Sequence, residues 1–328
     1  MIRFAKQRLA LAALAAAGVL LSGVSCGLAG GGRASAEERA RIQGEVANRP
    51  PAPMDMLPTT RDLIWSPVKG TGVQRAQFFR FGLPNGEVWV YLPPQARSGP
   101  VPCVVIAPAG TRLFHGIGLG SGDEPEHLPY VRAGYAVVAY AISANLMDKN
   151  FEDGDLVAKQ ATKFMEVDAG IADARAALNY AYTLPWVDKK RVFVAGHSSA
   201  ATLALQVAAF ENKRLAGCIA FAPAVDVTGK IGYAGNMVEK LGAKGLRAKL
   251  DALSPHNNVA RLTLPLFLFC AEDDSVVRER DVRAFAESVK KGNPAVTYAS
   301  VPAGEHYDAM IKDGIPAAIA WSKDKRRP

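Results

Sequence analysis

From about residue 73 the chain alternates short apolar runs with longer amphipathic stretches. Val73–Phe81 and Glu87–Leu92 read as two strands, joined by the hairpin signal Pro84-Asn85-Gly86. Val101–Ala107, Tyr135–Ala141, Arg191–Ala195, Leu215–Phe221 and Leu264–Cys270 are nearly unbroken apolar runs. That is the pattern of strands buried on both faces. Ala295–Val301 reads as the last strand. In the stretch 156–183, Phe164, Val167, Ile171, Ala174, Leu178 and Ala181 recur at steps of three and four, which predicts one helix face. Ser199–Phe210 is apolar nearly all round and predicts a buried helix, and Arg278–Lys291 and Ile315–Lys323 predict two more. Such alternation predicts an α/β fold: a mostly parallel central sheet with helices on both faces and the early hairpin as an antiparallel edge.

Three stretches depart from this rhythm. Residues 224–258 carry Gly229, Gly232, Gly235, Gly242 and Gly245 and a short amphipathic piece with Leu246, Leu250 and Leu253. An insertion of this size in a regular sheet protein reads as a lid. Residues 37–70 include Pro50, Pro51, Pro53 and Pro58 and read as a proline-rich linker with too little apolar surface to fold alone. The domain proper is then 71–328. At the start, Arg3, Lys6 and Arg8 precede an apolar run from Leu9 to Leu21, and Ala34-Ser35-Ala36 fits a signal-peptide cleavage site. Residues 1–36 therefore read as an export signal, which implies a periplasmic or extracellular protein. The apolar run is short for a membrane span. Val24-Ser25-Cys26 also resembles the end of a lipobox, so a lipid anchor at Cys26 is the alternative. The two cuts exclude one another, and Ala36 is preferred.

Composition narrows the picture. The 328 residues carry a formal charge of +8, four of it from Arg3, Lys6, Arg8 and Arg33. The remainder is mild and scattered, which argues against a nucleic-acid partner. Cys103, Cys218 and Cys270 each sit in an apolar run and read as small buried hydrophobes. No Cys/His spacing suggests a metal, and nothing calls for a cofactor. Gly116, Gly118, Gly120 and Gly122 do not follow directly on a strand and lack the phosphate-loop form, so they read as a flexible loop near the site.

The strongest motif is Val192-Phe193-Val194-Ala195-Gly196-His197-Ser198-Ser199-Ala200, a buried strand running into Gly-x-Ser-x-Ala and then a helix. A nucleophile elbow needs this context, because a sharp strand-to-helix turn lifts the serine hydroxyl clear of the sheet. Small residues at −2 and +2 relieve the crowding of that turn, and Gly196 and Ala200 supply them. Ser199 is the poorer nucleophile, since His197 would fall at its −2 position. With Trp186-Val187-Asp188-x-x-Arg191-Val192 before the elbow and Ser254-Pro255 before the penultimate strand, the chain resembles the α/β-hydrolases, closest to the dienelactone hydrolase and prolyl oligopeptidase catalytic-domain group. The resemblance spans roughly residues 75–325.

That resemblance implies a triad in the order Ser, acid, His. Aligning Ala271 and Val277 with the family wording Gly-x-x-Asp-x-x-Val selects Asp274 as the acid, with Asp273 second and Glu272 last. His306, in Pro302-Ala303-Gly304-Glu305-His306 after the final strand, matches the base. His197 reads as a filler of the elbow, His115 and His127 come too early, and His256 lies in the lid. The oxyanion hole is expected from the backbone N–H of Ser199 and a second donor in Pro108–Arg112, with Thr111 preferred where relatives often carry His-Gly-Gly.

These residues predict an exported serine hydrolase acting on small ester or acyl substrates. The chain resembles prolyl oligopeptidases without leaving room for their N-terminal propeller, which makes a peptidase the second reading. A non-catalytic binding protein of the same fold is the third, favoured only by Ala200 and the missing His-Gly-Gly.

Overall fold

In a computed structural model the described residues are 33–50, 58–79, 86–110, 112–146, 150 and 152–327. The basic and apolar start of the export signal, Cys26, Thr111 and most of the 84–86 turn therefore lie outside them. Nine strands form one sheet: β1 Trp65–Pro67, β2 Gln74–Phe79, β3 Glu87–Leu92, β4 Val101–Ile106, β5 Ala136–Tyr140, β6 Val187–His197, β7 Gly217–Phe221, β8 Leu266–Ala271 and β9 Val296–Val301. Their order is β1-β2-β3-β5-β4-β6-β7-β8-β9. The first three strands run antiparallel to their neighbours and everything from β5 onward is parallel, as the hydrophobic pattern predicts. The short β1 was missed, since Trp-Ser-Pro carries no alternation to read.

The helices are α1 Ala36–Asn48, α2 Glu124–Arg132, α3 Gly154–Glu166, α4 Ile171–Thr183, α5 Ser199–Glu211, α6 Val227–Lys240, α7 Leu246–Leu253, α8 Glu279–Lys290 and α9 Ile315–Ser322. Strand side chains alternate between two buried layers. Cys103, Val105, Val138, Val194, Ala220 and Leu268 pack under α4, α5 and α8. Val104, Val137, Phe193, Ile219 and Phe267 pack under α2 and α9. Cys103, Cys218 and Cys270 are free and buried within strands, as expected.

Two expectations need correction. The single helix face read across 156–183 is two helices, broken at Asp168, Ala169 and Gly170, with φ of 53°, 57° and 90°. The period persists because both helices present the same face to the core. The break is held by the buried Asp168 carboxylate, which takes Lys249 Nζ at 2.6 Å and Arg49 Nη2 at 3.0 Å. The presumed tether also contains α1, capped by Ser35, whose Oγ accepts from Glu38 N at 3.1 Å. This helix lies on the 224–258 segment, which is itself folded as α6 and α7. Apart from Ile42 and Val46, its anchoring is polar. Arg39 bonds the fully buried Asp251 at 3.3 Å, Gln43 Nε2 donates to the Ala252 carbonyl at 3.0 Å, and Arg33 reaches Asp226 at 2.5 Å. No described helix is long and apolar enough to cross a membrane.

Candidate active site

The sheet reverses direction of growth at β4: β5 lies on one side and β6 on the other. In open α/β sheets, ligands bind outside the strand carboxyl ends at such a switch point. The backbone there is under strain. Leu113, Ala144, Ser198, Ala222 and Glu305 all have positive φ, and each lies in the loop following β4, β5, β6, β7 or β9. Strained non-glycine residues of this kind cluster at functional sites.

The elbow takes the predicted form. Ser198 has φ 55° and ψ −120° between the end of β6 and the start of α5. Its N–H donates to the Phe221 carbonyl at 2.8 Å and its carbonyl accepts from Thr202 N at 3.1 Å, so the turn is locked from both sides. A Cβ on Gly196 would lie 2.3 Å from the backbone carbon and oxygen of Ala200. No larger residue fits there without moving the helix start. Ala200 is itself fully buried and accommodated, so its methyl does not disturb the turn.

The three candidate acids separate clearly. Asp274 Oδ2 lies 2.8 Å from His306 Nδ1, while Oδ1 accepts from Val276 N and Val277 N, both at 2.8 Å. Burial pushes the Asp274 pKa up, but the hydrogen bond and charge of His306 and the two backbone N–H groups outweigh it. The carboxylate therefore lies below its ordinary range. Asp273 does different work, which its sequence position did not disclose. Its Oδ2 accepts from Gly304 N at 3.0 Å and its Oδ1 from Glu305 N at 2.9 Å. Glu305 in turn accepts from Ser275 Oγ at 2.8 Å. The acid loop and the histidine loop are thus tied at two points besides the Asp274–His306 contact. The Glu272 carboxylate accepts from Ser300 Oγ at 3.3 Å, on the β9 side and away from His306 Nδ1.

His306 sits beside the elbow. Its ring centroid is 4.5 Å from that of His197, the neighbour of Ser198. With Nδ1 facing the carboxylate, Nε2 is the nitrogen left to exchange a proton with Ser198. Among the described residues no hydrogen bond joins Ser198 to His306. Loose geometry of this kind is common before substrate binds.

Ser199 opens α5, so its N–H lies at the helix N-terminus. Its Oγ accepts from Gly110 N at 3.1 Å and so ties the β4 loop to the elbow. Thr111, the expected second donor, lies outside the described residues. The glycine run has a structural use. A Cβ on Gly116 would lie 1.9 Å from the Ser143 carbonyl oxygen, so close packing against the β5 loop requires glycine there. Between Leu113, Phe164, Ser199, Leu203, Val227 and Leu250 is a cavity of about 10 Å³, room for about one water. Among the described residues no group of three or more His, Cys, Asp or Glu is placed to hold a metal.

Comparison with solved structures shows the same fold at low identity. Acetyl xylan esterase 1 from Thermoanaerobacterium sp. JW/SL YS485 superposes with a TM-score of 0.60 at 16% identity, over 89% of this chain and 95% of that one. The esterase Pf2001 of Pyrococcus furiosus gives 0.51 at 17% identity, over 85% and 99%. The acylaminoacyl peptidase of Pyrococcus horikoshii gives 0.60 at 14% identity over 79% of this chain, which spans only 43% of the peptidase's length. Comparison with curated protein sequences returns no match. Residues 88–312 match the sequence profile of the Dienelactone hydrolase family. That span contains every strand from the end of the antiparallel edge onward, the elbow, the acid loop and the histidine loop, and the chain is a hydrolase belonging to the dienelactone hydrolase family.

Proposed function

We propose that this hydrolase cleaves carboxylic esters of small acyl groups by covalent catalysis at Ser198. The observation that carries the reading is the Asp274–His306 pair, 2.8 Å apart and held beside a strained elbow serine. His306 takes the Ser198 proton as the hydroxyl attacks the ester carbonyl, then gives it to the departing alcohol. Asp274 keeps the proton on Nδ1 and stabilises the imidazolium. The oxyanion meets the Ser199 N–H at the positive end of α5, with Thr111 as the second donor. Water then hydrolyses the acyl-enzyme by the same steps in reverse roles. The 224–258 segment serves as a wall and lid over this site. Lys230 of α6 supports that reading, since its Nζ donates to the Val276 carbonyl beside the acid at 2.5 Å.

A peptidase is the second reading, favoured by the likeness to the acylaminoacyl peptidase. The ester reading is preferred because two of the structures that this chain resembles along nearly their whole length are esterases. A fluorophosphonate probe should label Ser198, and Ser198→Ala should lower kcat by roughly 10⁴–10⁶ without unfolding the protein. kcat/KM on short p-nitrophenyl esters should exceed that on a proline anilide by about 10² or more. Equal efficiency would move the enzyme to the peptidases, and activity retained by Ser198→Ala would remove the triad.

Export is part of the proposal, with the cut placed upstream of Arg33, before Cys26 rather than after Ala36. What supports this position is packing. Cleavage after Ala36 would remove the Ser35 cap of α1, the Ala34 carbonyl that Arg39 holds at 2.6 Å, and the Arg33–Asp226 pair.

A further inference from the structure

His197 fills the variable position of the elbow, where its neighbours alone would suggest an inert spacer. The side chain is buried, and its Nε2 lies 2.7 Å from the backbone carbonyl oxygen of His306. A carbonyl can only accept, so Nε2 carries the proton and donates. The Nδ1 edge faces Glu126, whose carboxyl oxygen is 4.0 Å away, too far for a hydrogen bond. Burial, with the adjacent His306 ring, drives the His197 pKa down to about 3. The ring is therefore neutral in the working range, with one tautomer set by the carbonyl, and the Glu126 contact is not an ion pair.

The His306 loop makes this bond consequential. It is a turn of strained backbone, with Glu305 at φ 55° and Gly304 at φ 130°. Asp273 holds two of its N–H groups and Asp274 holds the His306 ring from the acid side. All of these ties come from the acid loop. They relate the base to the acid loop, and the acid loop to the elbow only through the intervening strand β7. His197 is covalently joined to Ser198 and bonded to the base residue's own carbonyl. It is a direct hydrogen-bonded tie between the elbow and the base residue's backbone.

We infer that His197 is a positioning residue, which holds the backbone of His306 in register with Ser198 through its Nε2–H and the His306 carbonyl. The inference rests on the triad reading proposed above.

The test uses His197→Phe, His197→Asn and His197→Gln in the full chain, with fluorophosphonate labelling and steady-state kinetics on p-nitrophenyl acetate. Phe keeps bulk and removes the donor. Gln places an amide nitrogen where Nε2 stands, and Asn falls short of the carbonyl. A loss of alignment of about 1 Å costs roughly 10² in rate. His197→Phe and His197→Asn should therefore lower kcat and the labelling rate by roughly 10- to 100-fold with KM within about twofold. His197→Gln should stay within about fivefold of wild type. The Asn–Gln comparison stands if the Phe variant fails to fold. Equal kcat in Asn and Gln variants, or a loss carried by KM, overturns the role of His197. A wild-type protein that resists the probe, or is labelled elsewhere than Ser198, overturns the triad reading instead.

Discussion

The substitution Asp274→Asn separates the proposed acid from its neighbour and has an effect that follows from the hydrogen bonds around it. Asp274 Oδ1 is committed to two backbone donors, Val276 N and Val277 N. In the asparagine variant the amide oxygen must occupy that position, since an NH₂ group there would face two N–H groups with no acceptor among them. The NH₂ is then presented to His306 Nδ1, which has to accept. The imidazole proton moves to Nε2, and the ring can no longer take a proton from Ser198. This wrong-tautomer state costs about 10⁴ in turnover, close to 5 kcal/mol of barrier. The alternative is to flip the amide and orphan both N–H groups, at about 1–3 kcal/mol each. That route limits the loss to roughly 30-fold at its cheapest and 10⁴-fold at its dearest. A fall in kcat/KM of about 10³–10⁴ is expected. Asp273→Asn removes one acceptor from a loop N–H at an exposed site and should cost only a few-fold. The assay is kcat/KM on p-nitrophenyl acetate, with circular dichroism to verify folding. Activity of Asp274→Asn within tenfold of wild type, or a larger loss in Asp273→Asn, refutes the assignment.

Two further outcomes follow from buried groups and from α1. His197 and His127 are both buried, with pKa values driven down to about 3 from an ordinary 6.5. The unfolded chain binds those protons first as pH falls, so stability should drop from about pH 6.5 downward, by roughly 2 kcal/mol for each histidine at pH 5. The depressed Asp274 contributes stability above the ordinary carboxylate pKa, and that contribution is lost as pH falls through its folded value. A urea midpoint equal at pH 7 and pH 5 would contradict this. N-terminal analysis of the exported protein should find a lipid-blocked terminus at Cys26, or at least a start upstream of Arg33. A mature chain beginning at Glu37 would place Arg33 and the Ser35 cap outside the working fold.

The parallel sheet was legible because Val101–Ile106, Ala136–Tyr140 and Leu266–Ala271 bury both faces and so read as unbroken apolar runs. The elbow was legible because its geometry constrains residue type: only glycine fits at 196. Asp274 was found by alignment to a motif, and the two backbone N–H groups that hold it explain why that spacing works. What stayed hidden has partners far away or partners without side-chain identity. Helix α1 offers just Ile42 and Val46 as buried apolar residues, and the side chains of Arg39 and Gln43 find their partners more than 200 positions along the chain. Asp273 binds main-chain N–H groups, and His197 a main-chain carbonyl, neither of which leaves a mark on composition. The break between α3 and α4 preserved the helical period while turning three residues to positive φ, so periodicity alone could not locate it.

The anchoring of α1 also sets an order of events during synthesis. Arg39 and Asp251 are 212 residues apart, and Gln43 and Ala252 are 209 apart. At roughly 5–20 residues per second, the partners of Arg39 and Gln43 leave the ribosome about 10–40 s after the helix itself. Its own sequence buries too little to hold it folded in that interval. Helix α1 therefore lacks part of its docking surface until residues 251 and 252 have been made.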